Sequence, residues 1–174
     1  MEKNRVITVM PYQSPCGTLL LGSIDDRLCL CDWQVEKPHD KVMPRLRRIL
    51  GAELTEGNSA VLSETASQLD LYFAGSLTEF SIPLLTVGSD FQKRVWNELM
   101  KVPYGTTLSY SELSRRLGSP SAVRAVANAN GANALSIVIP CHRIIGANRT
   151  LTGYGGGLPI KKFLLDLEKA PYLH

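Results

Sequence analysis

Residues 109–133 read SYSELSRRLGSPSAVRAVANANGAN. Ser109 and Glu112 have the spacing of a capping box, in which each side chain bonds the other residue's backbone N–H. A short helix therefore starts here and ends at Leu117-Gly118. Ser119-Pro120 predicts a restart, with serine as cap and proline in the first turn. Two short helices joined by a few residues that include glycine read as a helix-turn-helix. The second helix is built of small residues, with Ala122, Ala125, Ala127 and Ala129 around Arg124, and Asn128 and Asn130 further on. Small residues let a backbone approach a surface closely, and a lone arginine on such a face reaches into a groove or fills a gap in a base stack. The same pattern equally fits an alanine-rich core helix with one arginine stem laid along the surface.

Working outward toward the C-terminus, LSIVIP (135–140) predicts a short buried strand of β-branched residues that halts at Pro140, which has no N–H for a ladder. Cys141-His142-Arg143 follow at the exit of that element, a rigid mount for a nucleophile. Thiolate is the reactive form of cysteine, and neighbouring His or Arg favours it. Adjacent residues on a strand point apart, so coupling of Cys141 to His142 needs a turn or an intervening water. A buried, inert thiol fits the same residues. Gly153-Tyr154-Gly155-Gly156-Gly157 lacks the Lys-Ser pair of a phosphate loop. It reads as a connector, or as a place where backbone amides approach a flat ligand with the Tyr154 ring as a wall. Glu168 lies near the end of a final helix and becomes functional only if it meets His142. Cys16, Cys29 and Cys31 show no C-x-x-C spacing, and His39, His142 and His174 form no close pair, so no metal site is expected.

Toward the N-terminus, SDFQKRVWNELMKV (89–102) predicts a helix capped by Ser89 or Asp90, with Phe91, Val95 and Leu99 as its apolar stripe. The character of the chain changes just before it. Residues 1–85 form one expected domain and 86–174 a second. The first opens as a β-meander: RVITVMPYQ, TLLLGSI and RLCLCDW, with turns at SPCG and Asp25-Asp26. Leu28, Leu30 and Asp32 should share one strand face, and Cys29, Cys31 and Trp33 the other. Helices follow at about 40–50, interrupted near Pro44, and at about 59–73, where Leu62, Ala66, Leu69 and Phe73 recur at helical spacing. AGSLTEFSIPL suggests a turn and a short strand.

The 174 residues are 44% hydrophobic and 20% charged, which excludes a disordered chain. No apolar run approaches the ~20 residues of a membrane helix. The first residues lack the pattern of a secretory leader, so a cytoplasmic protein with free thiols is expected. The net charge of +3 hides an asymmetry. Residues 1–85 carry 8 Lys+Arg against 11 Asp+Glu, and residues 86–174 carry 11 against 5. Between 109 and 150 there are five arginines, at 115, 116, 124, 143 and 149, and one acid, Glu112. A polyanion partner on one half fits that distribution.

FQKRVWNELMKVPYGTTLSYSELSRRLGSPSAVRAVANANGAN, IVIPCHRIIG and LTGYGGGLPIKKFLLDLE, in this order and spacing, resemble the C-terminal domain of the methylated-DNA–protein-cysteine methyltransferases, the 6-O-alkylguanine-DNA alkyltransferases, in their stand-alone bacterial form. The N-terminal half resembles the family in layout more than in residues. The resemblance implies an α+β fold: a small antiparallel sheet with flanking helices, ribonuclease H-like, followed by a winged helix-turn-helix domain. It implies single-turnover direct reversal of DNA damage without a cofactor. The alkyl group of 6-O-methylguanine, and of 4-O-methylthymine, would pass to Cys141, with double-stranded DNA as partner and a monomer as the working form. By resemblance His142 is the general base acting through water, Glu168 orients it, and Asn133 holds the presenting turn. Tyr110, Arg124 and Arg143 meet DNA, and Tyr110, Tyr154, Gly155 and Gly156 border the base pocket. The family often has Gly-Asn-Pro where this chain has Ala132-Asn133-Ala134, so the turn keeps its Asn and loses a rigid proline. Two other readings of the same residues stay open: a damage-recognition module, which needs no thiol at 141, and a cysteine hydrolase, which needs no Arg124.

Overall fold

A computed structural model describes residues 4–36 and 40–174; His39 lies outside the described residues. The chain divides into two compact units, Met1–Gly88 and Ser89–His174. In the first, β1 (Arg5–Ser14), β2 (Gly17–Ile24) and β3 (Arg27–Trp33) form the expected antiparallel meander. Asp25 and Asp26 both take positive φ, 51° and 60°. That is the mirror-image turn whose twist suits a two-residue hairpin. A strand that the sequence did not suggest, β4 (Ala52–Glu56), adds to β1 in parallel, giving the order β3-β2-β1-β4. Residues 28–33 are all buried, so β3 is covered on both faces.

α1 (Val42–Leu50) is not interrupted by Pro44. The proline falls in the first turn, where its missing N–H would have had no helical partner. α2 (Ala60–Phe73) starts at Ser59, whose hydroxyl accepts from Leu62 N at 3.2 Å. Its buried side runs through Val61, Leu62, Thr65, Gln68, Leu69 and Tyr72, which leaves the expected Ala66 and Phe73 at its margin. Gln68 bonds Ser81 through both ends of its amide and so ties the 76–84 loop to the helix. That loop contributes only a bridge from Leu84 to Leu28, not a strand.

In the second unit, α3 (Asp90–Leu99) and α4 (Tyr110–Arg116) each begin with a complete capping box, Ser89 with Gln92 and Ser109 with Glu112. α5 (Val123–Gly131) begins three residues after Pro120. Ser119 to Ala122 forms a turn instead, closed by Ala122 N to Ser119 O at 2.9 Å. α5 packs on both α3 and α4, and Trp96 Nε1 donates to Ala129 O at 2.8 Å from a buried position. α4 and α5 are the helix-turn-helix pair. β5 (Leu108–Ser109) and β6 (Ile144–Ile145) pair in parallel, and α6 (Leu158–Glu168) closes the unit.

Candidate active site

The predicted strand at 135–140 does not form. Asn133 prevents it: its Nδ2 donates to Ile139 O at 2.9 Å and its Oδ1 accepts from Leu135 N at 3.0 Å. Both ends of the segment are thus folded onto one side chain, and the intervening residues become turns. Ile139 N reaches back to Leu135 O at 2.8 Å. Ile137 takes φ 71°, a region that a β-branched residue adopts only at a cost. The chain leaves this tight loop at Pro140 and enters a 3-10 turn over Cys141–Arg143. A turn, not a strand end, therefore presents Cys141, which is 5% exposed.

His142 is fully buried. Its Nε2 lies 2.7 Å from Glu168 Oε2, and its Nδ1 has no hydrogen-bond partner among the described residues. Burial pulls its pKa below the ordinary histidine value, against the opposing pull of Glu168. Burial pushes the Glu168 carboxyl up, but His142 and Arg143 outweigh that and hold it well below the usual carboxylate range. Glu168 is therefore a carboxylate and His142 a neutral imidazole. Nε2–H donates to the carboxylate, and Nδ1 is left as a bare, buried acceptor. That is the protonation state a general base needs.

Arg143 is not on an outer surface, contrary to the sequence expectation of a DNA contact. It is 6% exposed. Its Nε donates to Glu168 Oε1 at 2.8 Å, one terminal nitrogen to Glu168 Oε2 at 3.2 Å, and the other to Val102 O at 2.8 Å. Its guanidinium also lies 5.7 Å from the Tyr104 ring centre. The Glu168 carboxylate draws it inward, because an unpaired buried carboxylate is far more costly than a bidentate pair. Gly105 N adds a donor to Glu168 Oε1 at 3.3 Å.

Sequence reasoning missed Lys161. It is fully buried, and its ammonium donates to the carbonyls of Ile144, Thr152 and Gly153. It thereby joins the chain just after Cys141-His142-Arg143 to the start of the glycine loop. Burial pushes its pKa down to about 8, and the Cys141 charge acts in the opposite direction. A signal was present: 161, 164, 165 and 168 repeat at helical spacing on the buried face of α6. Tyr154, Gly155 and Gly156 lie on the loop that Lys161 anchors, and Gly157 N closes a turn onto Tyr154 O at 2.9 Å.

Tyr110 is the first residue of α4 and is half-buried. Its ring centre is 5.9 Å from the Lys161 ammonium. Burial raises its pKa, as does the charge of Cys141, while the Thr152 and Asn130 side chains oppose that rise. Arg115, Arg116 and Arg124 are exposed, with Arg124 away from the buried Val126, Ala129 and Asn130 of α5. Arg149 pairs with Glu112 at 2.8 Å on the surface. The structure thus joins His142, Arg143 and Glu168 in one buried cluster, places Asn133 on the turn that precedes Cys141 and Tyr110 beside Lys161, and leaves Arg124 exposed. Among the described residues no group of three or more His, Cys, Asp or Glu is placed to hold a metal ion.

Residues 9–86 match the family described as 6-O-methylguanine DNA methyltransferase, ribonuclease-like domain, and residues 90–170 match its DNA binding domain. A methylated-DNA–protein-cysteine methyltransferase of Mycobacterium leprae is 44% identical over 159 residues, covering 90% of this chain and 88% of the relative. One from Methanosarcina acetivorans is 41% identical over 157 residues, covering 90% and 95%. A crystal structure of Mycobacterium tuberculosis OGT in complex with DNA superposes with a TM-score of 0.80 at 40% identity, covering 94% of this chain and 92% of that one. With both halves matched in order and the relatives spanned almost end to end, the chain belongs to the methylated-DNA–protein-cysteine methyltransferase family.

Proposed function

We propose that this protein repairs DNA by moving the methyl group of 6-O-methylguanine onto its own Cys141, once per molecule. The observation that carries the proposal is His142, the residue after Cys141: neutral, buried, held through Nε2 by Glu168, and bare at Nδ1. His142 Nδ1 takes the thiol proton through an intervening water. The Cys141 sulfur then attacks the methyl carbon, a sulfur–carbon bond forms, and the bond from carbon to the guanine oxygen breaks. The electron pair leaves with the base, and the proton held by His142 returns to it. Glu168 stabilises the transient imidazolium, and Arg143 keeps Glu168 ionised and aimed. A thioether is a poor leaving group, so the protein is consumed. The same chemistry applies to 4-O-methylthymine.

A methyl group inside a duplex is out of reach of a protein sulfur, so the nucleotide must leave the stack. In this reading the Ser89–His174 unit binds duplex DNA, α5 approaches the minor groove, and Arg124 fills the gap. Tyr110 meets the flipped base, and the Tyr154–Gly156 loop borders its pocket. The protein works as a monomer in the cytoplasm; among the described residues no helix is long and apolar enough to cross a membrane.

Intact-protein mass tests this after mixing with an equal amount of duplex carrying one 6-O-methylguanine. The expected result is a gain of one methylene unit, mapped to Cys141, that stops at one per molecule and vanishes in Cys141→Ala while lesion binding persists. An unchanged wild-type mass with tight lesion binding would overturn it in favour of a recognition module.

A further inference from the structure

We infer that Arg149, on the turn that follows β6, is a phosphate-binding residue: its guanidinium, held at one nitrogen by Glu112, takes a backbone phosphate of bound duplex DNA. The inference rests on the proposed binding of duplex DNA by the Ser89–His174 unit.

The turn itself is firmly made. Gly146 N donates to Thr150 O and Arg149 N to Gly146 O, both at 2.9 Å. Asn148 Oδ1 accepts from Thr150 N at 3.2 Å and from Thr150 Oγ1 at 2.6 Å. Leu173 N donates to Arg149 O at 2.7 Å, beside a parallel bridge from Leu173 to Thr150. Within this frame Arg149 takes φ 69°, in the left-handed region. There a Cβ crowds the following carbonyl oxygen, and a glycine would close the same turn without that cost. A strained residue held in place by its surroundings points to work done by its side chain.

That work is not the ion pair alone. Arg149 Nη2 donates to Glu112 Oε1 at 2.8 Å, with the two side chains 45% and 29% exposed. An exposed pair contributes little to stability and does not offset a strained backbone. The carboxylate is already fixed, because its Oε2 accepts from Ser109 N at 2.9 Å in the capping box of α4. Glu112 is thus a rigid anchor that orients the guanidinium. A guanidinium has five N–H donors in a planar fork. Among the described residues, Nε and the second terminal nitrogen of Arg149 bond no protein group. Two donors on adjacent nitrogens fit two oxygens of one phosphate.

The location fits that ligand. Glu112 stands two residues after Tyr110, so the guanidinium lies beside the first turn of α4. A nucleotide that leaves the stack toward Tyr110 brings its flanking phosphates to this turn. Glu112 is also the one acid between 109 and 150. Arg149 cancels its repulsion of a phosphate at the point where α4 begins.

The test is the salt dependence of binding to undamaged duplex and to duplex carrying 6-O-methylguanine. Arg149→Gly suits the backbone, and its log K against log salt should be less steep than wild type by about 0.9, the loss of one phosphate contact. Between about 50 and 200 mM salt it should therefore lose about threefold less affinity than wild type does. The effect should be equal on both duplexes, because a phosphate carries no sequence or lesion information. Arg149→Lys should restore most of the slope. Glu112→Gln keeps a capping-box residue, and Arg149→Gly made in that background should still lower the slope by about 0.9. Should Arg149→Gly not fold, Arg149→Asn, which tolerates the same φ, is expected to show the same loss. A wild-type slope in the glycine or asparagine variant would overturn the inference. So would a loss that disappears in the Glu112→Gln background, which would leave Arg149 as a neutraliser of Glu112 only. Failure of the wild-type protein to bind duplex DNA at all would instead overturn the proposed function.

Discussion

The two units bury different things. In Met1–Gly88 the interior is aliphatic and aromatic, and among the described residues its buried polar groups are Ser23, Asp32, Thr65 and Gln68. In Ser89–His174 the buried set includes His142, Arg143, Lys161 and Glu168, with Asn130 and Asn133. Burying ions is expensive, and a hydrophobic replacement of similar shape is often as stable. A unit that keeps four ionisable groups inside does so for what they do together. The first unit is built to fold; the second is built around a buried ionic cluster, which the proposed function uses as a proton pathway.

Disrupting one ion pair in each unit sharpens that contrast. Glu168→Gln leaves the buried Arg143 guanidinium without its counter-charge and should cost about 3–5 kcal/mol in denaturant unfolding. Because the folded Glu168 carboxyl titrates far below its ordinary 4.5, its stabilisation is complete above about pH 4.5 and fades as the pH falls. The variant should lose that part of the acid dependence. Lys161→Met removes a buried charge but leaves three carbonyls without their donor, for a net loss of about 1–3 kcal/mol near pH 7. The folded Lys161 titrates at about 8 instead of its ordinary 10.5. Between those values the unfolded chain binds more protons, so this group makes wild-type stability rise with pH there. Stability curves of Lys161→Met should lack that rise. In the first unit, Ser59→Ala removes the cap of α2 together with the hydroxyl partner of buried Ser23 and should cost about 1–2 kcal/mol with no effect on Cys141 methylation. Glu53→Gln, at an exposed pair with Arg47, should cost less than about 1 kcal/mol in the same unfolding assay.

Much of this architecture is legible in the amino-acid sequence. The meander, α2, α3 and α4 announce themselves through alternation, helical spacing and capping residues, which are local signals. β4 does not: AELTE is short and polar, and only pairing with β1, far away in sequence, makes it a strand. The segment before Cys141 misleads for a related reason. Ile137, Val138 and Ile139 have strand propensity, but Asn133 bonds both ends of the segment and converts it to turns. Propensity cannot register a constraint imposed by one side chain. Cys141, His142, Glu168 and Asn133 are readable from motif resemblance, whereas the burial of Arg143 and Lys161 is not. Both are residue types that belong on surfaces, and both are inside because partners distant in sequence await them. Asn130 stands in the sequence merely as one more polar residue on a small-residue helix.

Lys161 and Glu168 lie seven residues apart on α6, two helical turns or about 10.5 Å. The helix is therefore a spacer of fixed count. Away from the Thr152 and Gly153 carbonyls that Lys161 holds, adding one residue to the 146–157 connection lengthens a loop at little entropic cost. Adding one between 161 and 168 would rotate one of the two groups by about 100° around the helix axis and carry it out of register with its partners. Length variation among related chains should therefore gather in the connection and be absent from this stretch of helix, whatever the identity of the residues between its two fixed points.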